Sequence, residues 1–236
     1  MTKSERVAKV SQLLKRDYPV VLTPLNHNSL FQLFVSVLLS PQTTDETTNK
    51  VTPFLFEKYK SFEDLAAANV EDVVKIIRPI NYNNTKSKNL IAASNKIITD
   101  FNGEVPHTLA QLITLPGVGR KVGNVVISEW FSKPLDKRGT PHLSMSEINK
   151  LPDWQKIEVL PEGFVVDTHV IRTSNRLGLS SNSDPKKIEQ DLMAIFPREE
   201  WNDMSLRLIF HGRYRCKARD NQCCLDKDWK ELCKCD

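Results

Sequence analysis

The chain has no cysteine before residue 216, no apolar stretch long enough to cross a bilayer and no sustained period-two alternation of apolar and polar residues. The longest apolar run, Leu30 to Leu39, is interrupted by Gln32 and Ser36 and is about half the length a membrane-spanning helix needs. The opening residues, MTKSERVAKVSQ, lack the apolar core of a secretory signal, so a cytoplasmic location is expected. Without alternation there is no sheet to expect, and no internal repeat is present. With 40% hydrophobic and 26% charged residues over 236 positions, collagen-like, low-complexity and wholly disordered chains are excluded. The 33 basic and 29 acidic side chains leave a net charge of +4, which permits a nucleic-acid partner without requiring one. All five cysteines fall between positions 216 and 235. An odd number crowded at one end does not make a disulfide scaffold, and in a reducing compartment it points to a metal or iron–sulfur site.

What is present is helical periodicity. Val7, Val10, Leu13 and Leu14 fall at helical spacing within 5–17. Within 29–40, Leu30, Phe31, Phe34, Val35, Leu38 and Leu39 form a wide apolar face suited to a core helix. Further helices are predicted near 45–59, 62–68, 70–78, 85–101, 107–114, 119–131, 168–177, 185–195 and 201–214. The expectation is an all-α fold.

Turn residues separate these stretches. Asn81 to Asn84 form a turn-rich loop, Asn102-Gly103 closes one helix and Gly178 another. Residues 133–163 break the rhythm, with Pro134, Pro141, Pro152 and Pro161 and balanced charges of five basic and five acidic groups. This segment reads as a long surface excursion with one short helix near 144–150.

The most informative short stretch is LPGVGRK, residues 115–121. Gly117 and Gly119 allow a sharp turn and close approach by another molecule. The free N–H groups that start the following helix add a cradle for a phosphate. An apolar residue followed by Gly-x-Gly between two helices looks like the helix-hairpin-helix of DNA-binding proteins; a plain helix–helix turn is the bland reading. Lys121 sits in the first turn, where the positive end of the macrodipole disfavours an ammonium and favours the free amine, the form a Schiff-base nucleophile needs. Lys121, Asn124 and Ser128 share one polar face, opposite Val122, Val125, Val126 and Trp130. Position alone leaves nucleophile and phosphate contact both open.

Asp167, in VVDTHVIRTSNRLGL, is placed as an N-cap for residues 169 or 170. The same carboxylate has a second oxygen, which would let it face a cleft and work with a lysine in proton transfer and cation stabilisation. His169 follows closely and reads as structural.

Four separated motifs, LPGVGRKVGNVV (115–126), VDTH (166–169), LLSPQTTD (38–45) and HGRY (211–214), together resemble the endonuclease III family, base-excision-repair DNA glycosylases of the helix-hairpin-helix/Gly-Pro-Asp superfamily. The resemblance runs from about residue 5 to the end apart from 133–163. It implies a six-helix domain over 22–132 and a second helical domain of 1–21 plus 133–236, with DNA across the cleft between them. It implies that Lys121 and Asp167 are the catalytic lysine and aspartate of a bifunctional glycosylase and abasic-site lyase acting on oxidised pyrimidines. A damaged base must be flipped out of the stack to be reached. By resemblance Gln42 enters the gap, Tyr82 is a wedge, and Gly117, Gly119 and Arg120 meet the backbone. The implied partner is duplex DNA carrying a damaged base or an abasic site, bound by a monomer in the nucleoid.

Family members commonly end in C-x6-C-x2-C-x5-C holding a [4Fe–4S] cluster. Here Cys216 and Cys223 keep the first spacing, but positions 226 and 232 are Asp and Leu. The chain offers Cys224, Cys233 and Cys235 in their place. Four ligands would then be Cys216, Cys233, Cys235 and one of Cys223 or Cys224, with zinc or loss of the centre as alternatives. Around them lie Arg207, Arg213, Arg215, Lys217 and Arg219, with no acidic residue between 204 and 219, a run that either meets phosphates or is a solvated helix end. Two other functions remain open: a monofunctional mismatch glycosylase, whose usual lack of the lysine and added C-terminal domain this chain does not share, and a DNA-binding module without chemistry.

Overall fold

The computed structural model describes residues 1–133 and 150–234. Among them there is no strand, only an isolated bridge between Cys216 and Asn221. The chain divides into two compact units, Thr23–Val159 and a smaller one in which Met1–Leu22 joins Leu160–Asp236.

The larger unit holds α2 (Leu30–Leu39), α3 (Asp45–Lys58), α4 (Phe62–Ala66), α5 (Val70–Ile76), α6 (Asn83–Phe101), α7 (Leu109–Leu112), α8 (Arg120–Val126) and α9 (Asp153–Lys156). Short polar residues start most of them. The side chains of Ser29, Thr44, Ser61, Asn69 and Thr108 each accept a backbone N–H from the first turn that follows. Apolar nearly all round, α2 is the central helix, with eight of its ten residues buried. Leu33, Phe34 and Leu39 are wholly enclosed. Each such side chain contributes about 1.5–3 kcal/mol from burial, and truncating one to Ala removes about 2–5 kcal/mol.

The smaller unit holds α1 (Lys3–Asp17), α10 (Thr168–Arg176), α11 (Pro185–Ile195) and α12 (Trp201–Tyr214). Thr2 and Glu5 form a reciprocal capping box on α1. Its core gathers Leu14, Phe164, Leu177, Leu192, Leu208 and Trp229. Gly212 lets α12 lie close to α10, because a Cβ there would stand 3.0 Å from both His169 Cβ and Thr173 Cγ2.

Two expectations are corrected. The helix expected over 119–131 is α-helical only to Val126 and continues as a π-helical turn, Ile127–Phe131. The tail of the 133–163 excursion is not surface decoration. Leu151, Trp154, Ile157 and Val159 pack against the larger core, Val159 N–H donates to Phe131 O at 2.8 Å and Trp130 Nε1 donates to Gln155 O at 3.1 Å. These contacts place the boundary between units after Val159 instead of after 132. The short helix expected near 144–150 falls almost wholly outside the described residues.

Candidate active site

The 115–121 motif forms the hairpin between α7 and α8. Val118 N–H donates to Leu115 O at 3.0 Å, closing the turn. Gly117 has φ +79°, and a Cβ there would lie 2.9 Å from Asn89 Cβ, so both backbone and packing require glycine. Gly119 differs: its φ is −88° and a Cβ there would meet nothing within 4 Å. Its bareness serves no internal packing and leaves the start of α8 open to an approaching molecule. Gly117→Ala should therefore lower stability by about 1–3 kcal/mol. Gly119→Ala should leave the unfolding midpoint unchanged while weakening duplex binding several-fold. Thermal melts alongside fluorescence-anisotropy titrations check both.

Lys121 is exposed in the first turn of α8, beside exposed Arg120, while Val118 and Val122 anchor the hairpin in the core. Asn124 and Ser128 do not extend a solvent-facing polar stripe from Lys121, because both are buried.

Asp167 lies in the smaller unit, where it caps α10. A single oxygen, Oδ1, accepts from His169 N at 2.8 Å and from Val170 N at 2.9 Å, leaving Oδ2 outside the cap. His169 is half-buried, and burial lowers its pKa. Its Nδ1 lies 3.1 Å from Arg172 Nη2, and Arg172 also donates to Gly212 O and Cys216 O. His169 thus belongs to a structural tie between α10 and the cysteine loop.

Gln42 and Tyr82, far apart in sequence, are brought together. Both are exposed and both adopt left-handed backbone conformations, φ 57° and 58°, which cost a non-glycine residue about 1–2 kcal/mol each. Asn81 Nδ2 donates to Gln42 O at 2.5 Å. Beneath them Lys86 is buried and donates to Leu39 O at 2.7 Å, Pro41 O at 2.6 Å and Thr43 Oγ1 at 3.1 Å. Burial pulls its pKa down to about 8. Sequence reading missed Lys86 and Asn81. The signal for Lys86 was present: with Leu90, Ala93 and Ile97 it lies on the buried stripe of α6.

Three cysteines converge. Cys216, Cys223 and Cys233 are buried thiols outside any disulfide, and Cys216 Sγ lies 3.9 Å from Cys233 Sγ. His211 Nε2 lies 3.1 Å from Cys223 Sγ, and the donor atoms of His211, Cys216 and Cys223 all fall within 4.8 Å of one another. Hydrogen bonding to Cys223 and Cys233 holds the Cys216 thiol well down, and the same contact raises Cys223. Burial pulls His211 down to about 4, so its ring is neutral. Its ring packs at a tilt of 39° against that of Trp229, with centroids 4.1 Å apart. Arg176 Nη1 and Asn221 Nδ2 direct N–H groups at Cys216 and Cys233. Of the adjacent pair, Cys223 is the one that lies beside Cys216 and His211. Cys235 lies outside the described residues. Sequence reading did not include His211 among the donors; its five-residue separation from Cys216 at the end of α12 was the available clue.

The basic run splits. Arg207 is buried and donates to Tyr18 O and Pro19 O, and Arg215 pairs with Asp226 and Asp17. Of the five, only Lys217 and Arg219 are exposed, so phosphate contact along the whole run does not hold.

Comparison with known proteins places these features in context. The model of the HhH-GPD superfamily base excision DNA repair proteins matches residues 35–198. Endonuclease III of Synechocystis sp. is 36% identical over 94% of this chain and 89% of its own length. Endonuclease III of Escherichia coli is 32% identical over 97% and 95%. Among solved structures, a trapped endonuclease III–DNA covalent intermediate superposes with TM-score 0.80 at 34% identity, covering 99% of this chain and 96% of that one. A thermostable thymine-DNA glycosylase shares the fold, with TM-score 0.73 at 20% identity over 98% and 95%. No helix among the described residues is long and apolar enough to cross a membrane.

Proposed function

Because the chain belongs to the endonuclease III family within the HhH-GPD superfamily of base excision DNA repair proteins, we propose that it is a bifunctional DNA glycosylase and abasic-site lyase that removes oxidised pyrimidines. The observation that carries this reading is the likeness, over nearly the whole chain, to an endonuclease III caught covalently on DNA, together with an exposed lysine at the start of α8. The substrate is duplex DNA with a damaged base or an abasic site, met by a monomer in the nucleoid.

The chemistry assigns each residue a task. Lys121, as free amine, forms a bond from Nζ to C1′ of the sugar as the bond from C1′ to the base breaks. Asp167 stabilises the positive charge that develops on the sugar and accepts the proton Lys121 must lose. The cap and this role are compatible, since Oδ1 alone carries the cap. The C1′–O4′ bond of the sugar then breaks, O4′ taking the proton that Asp167 accepted and the departed base one from water, and the nitrogen lone pair closes an iminium with C1′. Loss of a C2′ proton to a base drives breakage of the C3′–O bond, with the 3′ phosphate leaving. Gln42 and Tyr82 fill the space left by the flipped base, while Gly117, Gly119 and Arg120 take the backbone at the hairpin.

The donor set of the C-terminal loop fits a thiolate-bound metal centre, because three buried thiols meet an imidazole in the neutral form that binds metal. Cys216, Cys223 and Cys233 would supply thiolates to a [4Fe–4S] cluster, with His211 the described side chain placed beside them. Such a centre supplies a cross-link that ties the loop after α12 to its own helix. Anaerobically purified protein should carry iron and acid-labile sulfide, and removing them should lower Tm by about 10 °C. A single zinc ion without sulfide would instead identify a mononuclear site.

Borohydride added to a reaction on a thymine-glycol duplex should yield a covalent protein–DNA band. Base release without that band would mark a monofunctional glycosylase, and binding without release a recognition module.

A further inference from the structure

We propose that Lys86 is a positioning residue whose ammonium holds the Gln42 and Tyr82 loops as one rigid wedge. The inference rests on the functional reading above, which assigns those two side chains to the distorted duplex.

The geometry matches donor to acceptor. An ammonium has three N–H groups and no acceptor, and Lys86 Nζ has three oxygens around it: Leu39 O, Pro41 O and Thr43 Oγ1. Leu39 ends α2, whose terminal carbonyls carry the negative end of its dipole. Pro41 and Thr43 flank Gln42 on both sides. Lys86 therefore grips the chain immediately before and after the residue that must enter the stack.

The same lysine is joined to the second wedge. Its backbone N–H donates to Tyr82 O at 2.9 Å, in the first turn of the helix that Tyr82 starts. Asn81, the neighbour of Tyr82, donates to Gln42 O. Four hydrogen bonds thus join the two segments, three from Lys86 Nζ and one from Asn81, all within the larger unit.

A merely structural lysine would be a poor choice at this place. Lys86 is 8% exposed and forms no ion pair with a carboxylate among the described residues. Burying an ammonium against neutral oxygens is costly compared with an apolar side chain of similar size. What the charge supplies is over-determination of two left-handed residues, conformations that persist only where their surroundings impose them.

The test is Lys86→Met, which keeps an unbranched, flexible side chain and removes its donors. Its partners are Thr43→Val and Asn81→Ala, which each delete one link at the surface. A duplex with 2-aminopurine opposite the lesion reports insertion by its fluorescence change. Lys86→Met should abolish that change and reduce the preference for lesion over undamaged duplex about tenfold, with affinity for undamaged duplex unaltered. Thr43→Val and Asn81→Ala should each reduce the preference two- to fivefold at an unchanged Tm. The double variant Lys86→Met/Gln42→Ala should be no worse than Gln42→Ala alone. Effects that add in full, or a full fluorescence change in both surface variants, would overturn the proposal even if Lys86→Met proves too unstable to assay. If Gln42→Ala itself keeps the full preference, the assignment of Gln42 to the stack is what fails. Faster amide hydrogen exchange at 42–44 and 82–83 in Lys86→Met would still support its hold on the loops, and unchanged exchange would exclude it.

Discussion

Lys121→Gln abolishes borohydride trapping and lowers strand cleavage by on the order of 10⁴-fold or more, while the protein melts at the wild-type temperature. The size follows from the role: without the amine no bond to C1′ forms, and both base release and β-elimination lose their shared intermediate. The unchanged melt follows from the site. Lys121 is exposed and has no ion pair or capping bond among the described residues, and substitutions at such positions stay within about 0.5 kcal/mol. Glutamine keeps the length and a donor, so duplex affinity should persist within a few-fold. Retained cleavage in Lys121→Gln would remove the nucleophile from this residue and leave it a phosphate contact.

Asp167→Asn lowers base release about 10²- to 10⁴-fold, the range of a positioned proton-transfer group, and barely moves Tm. Here two roles of one side chain are separable. The cap needs only an oxygen for His169 N and Val170 N, and Asn caps helices as well as Asp does. The stabilisation of a sugar cation needs the negative charge. Asp167→Ala loses both and should cost about 1 kcal/mol in addition, a drop in Tm of about 2–4 °C for a chain of this size. Equal activity in Asp167→Asn and wild type, with a melting loss in Asp167→Ala, would reduce Asp167 to a cap. Single-turnover base release and differential scanning calorimetry on the three proteins distinguish these cases.

Much of the helical order was legible because its causes are local. The apolar spacing of Leu33, Phe34 and Leu38 marks α2, and Asp167 before THVIRT marks the start of α10. The turn at Gly117 is readable because glycine takes the left-handed backbone of a tight turn at the least steric cost. The candidate amine and carboxylate were also visible as residue types at the starts of helices, but position alone left each a second reading, and their catalytic assignment came from the resemblance.

Other features depended on residues meeting across long stretches. No local pattern shows that Lys86 reaches back to Leu39, Pro41 and Thr43, or that Gln42 and Tyr82 share a hydrogen-bonded platform. The five cysteines gave several ligand sets by spacing alone. Packing brings Cys216, Cys223 and Cys233 together and places His211 beside them. The basic run looked uniform in sequence, yet Arg207 and Arg215 are consumed by carbonyls and carboxylates of the fold. The sequence by itself determined most of the helices and the chemical types of the candidate groups, because these follow from interactions within a few residues. Which groups face one another, and which charges remain available to a partner, only the tertiary structure decided, because those outcomes depend on burial and on contacts between residues tens to hundreds of positions apart.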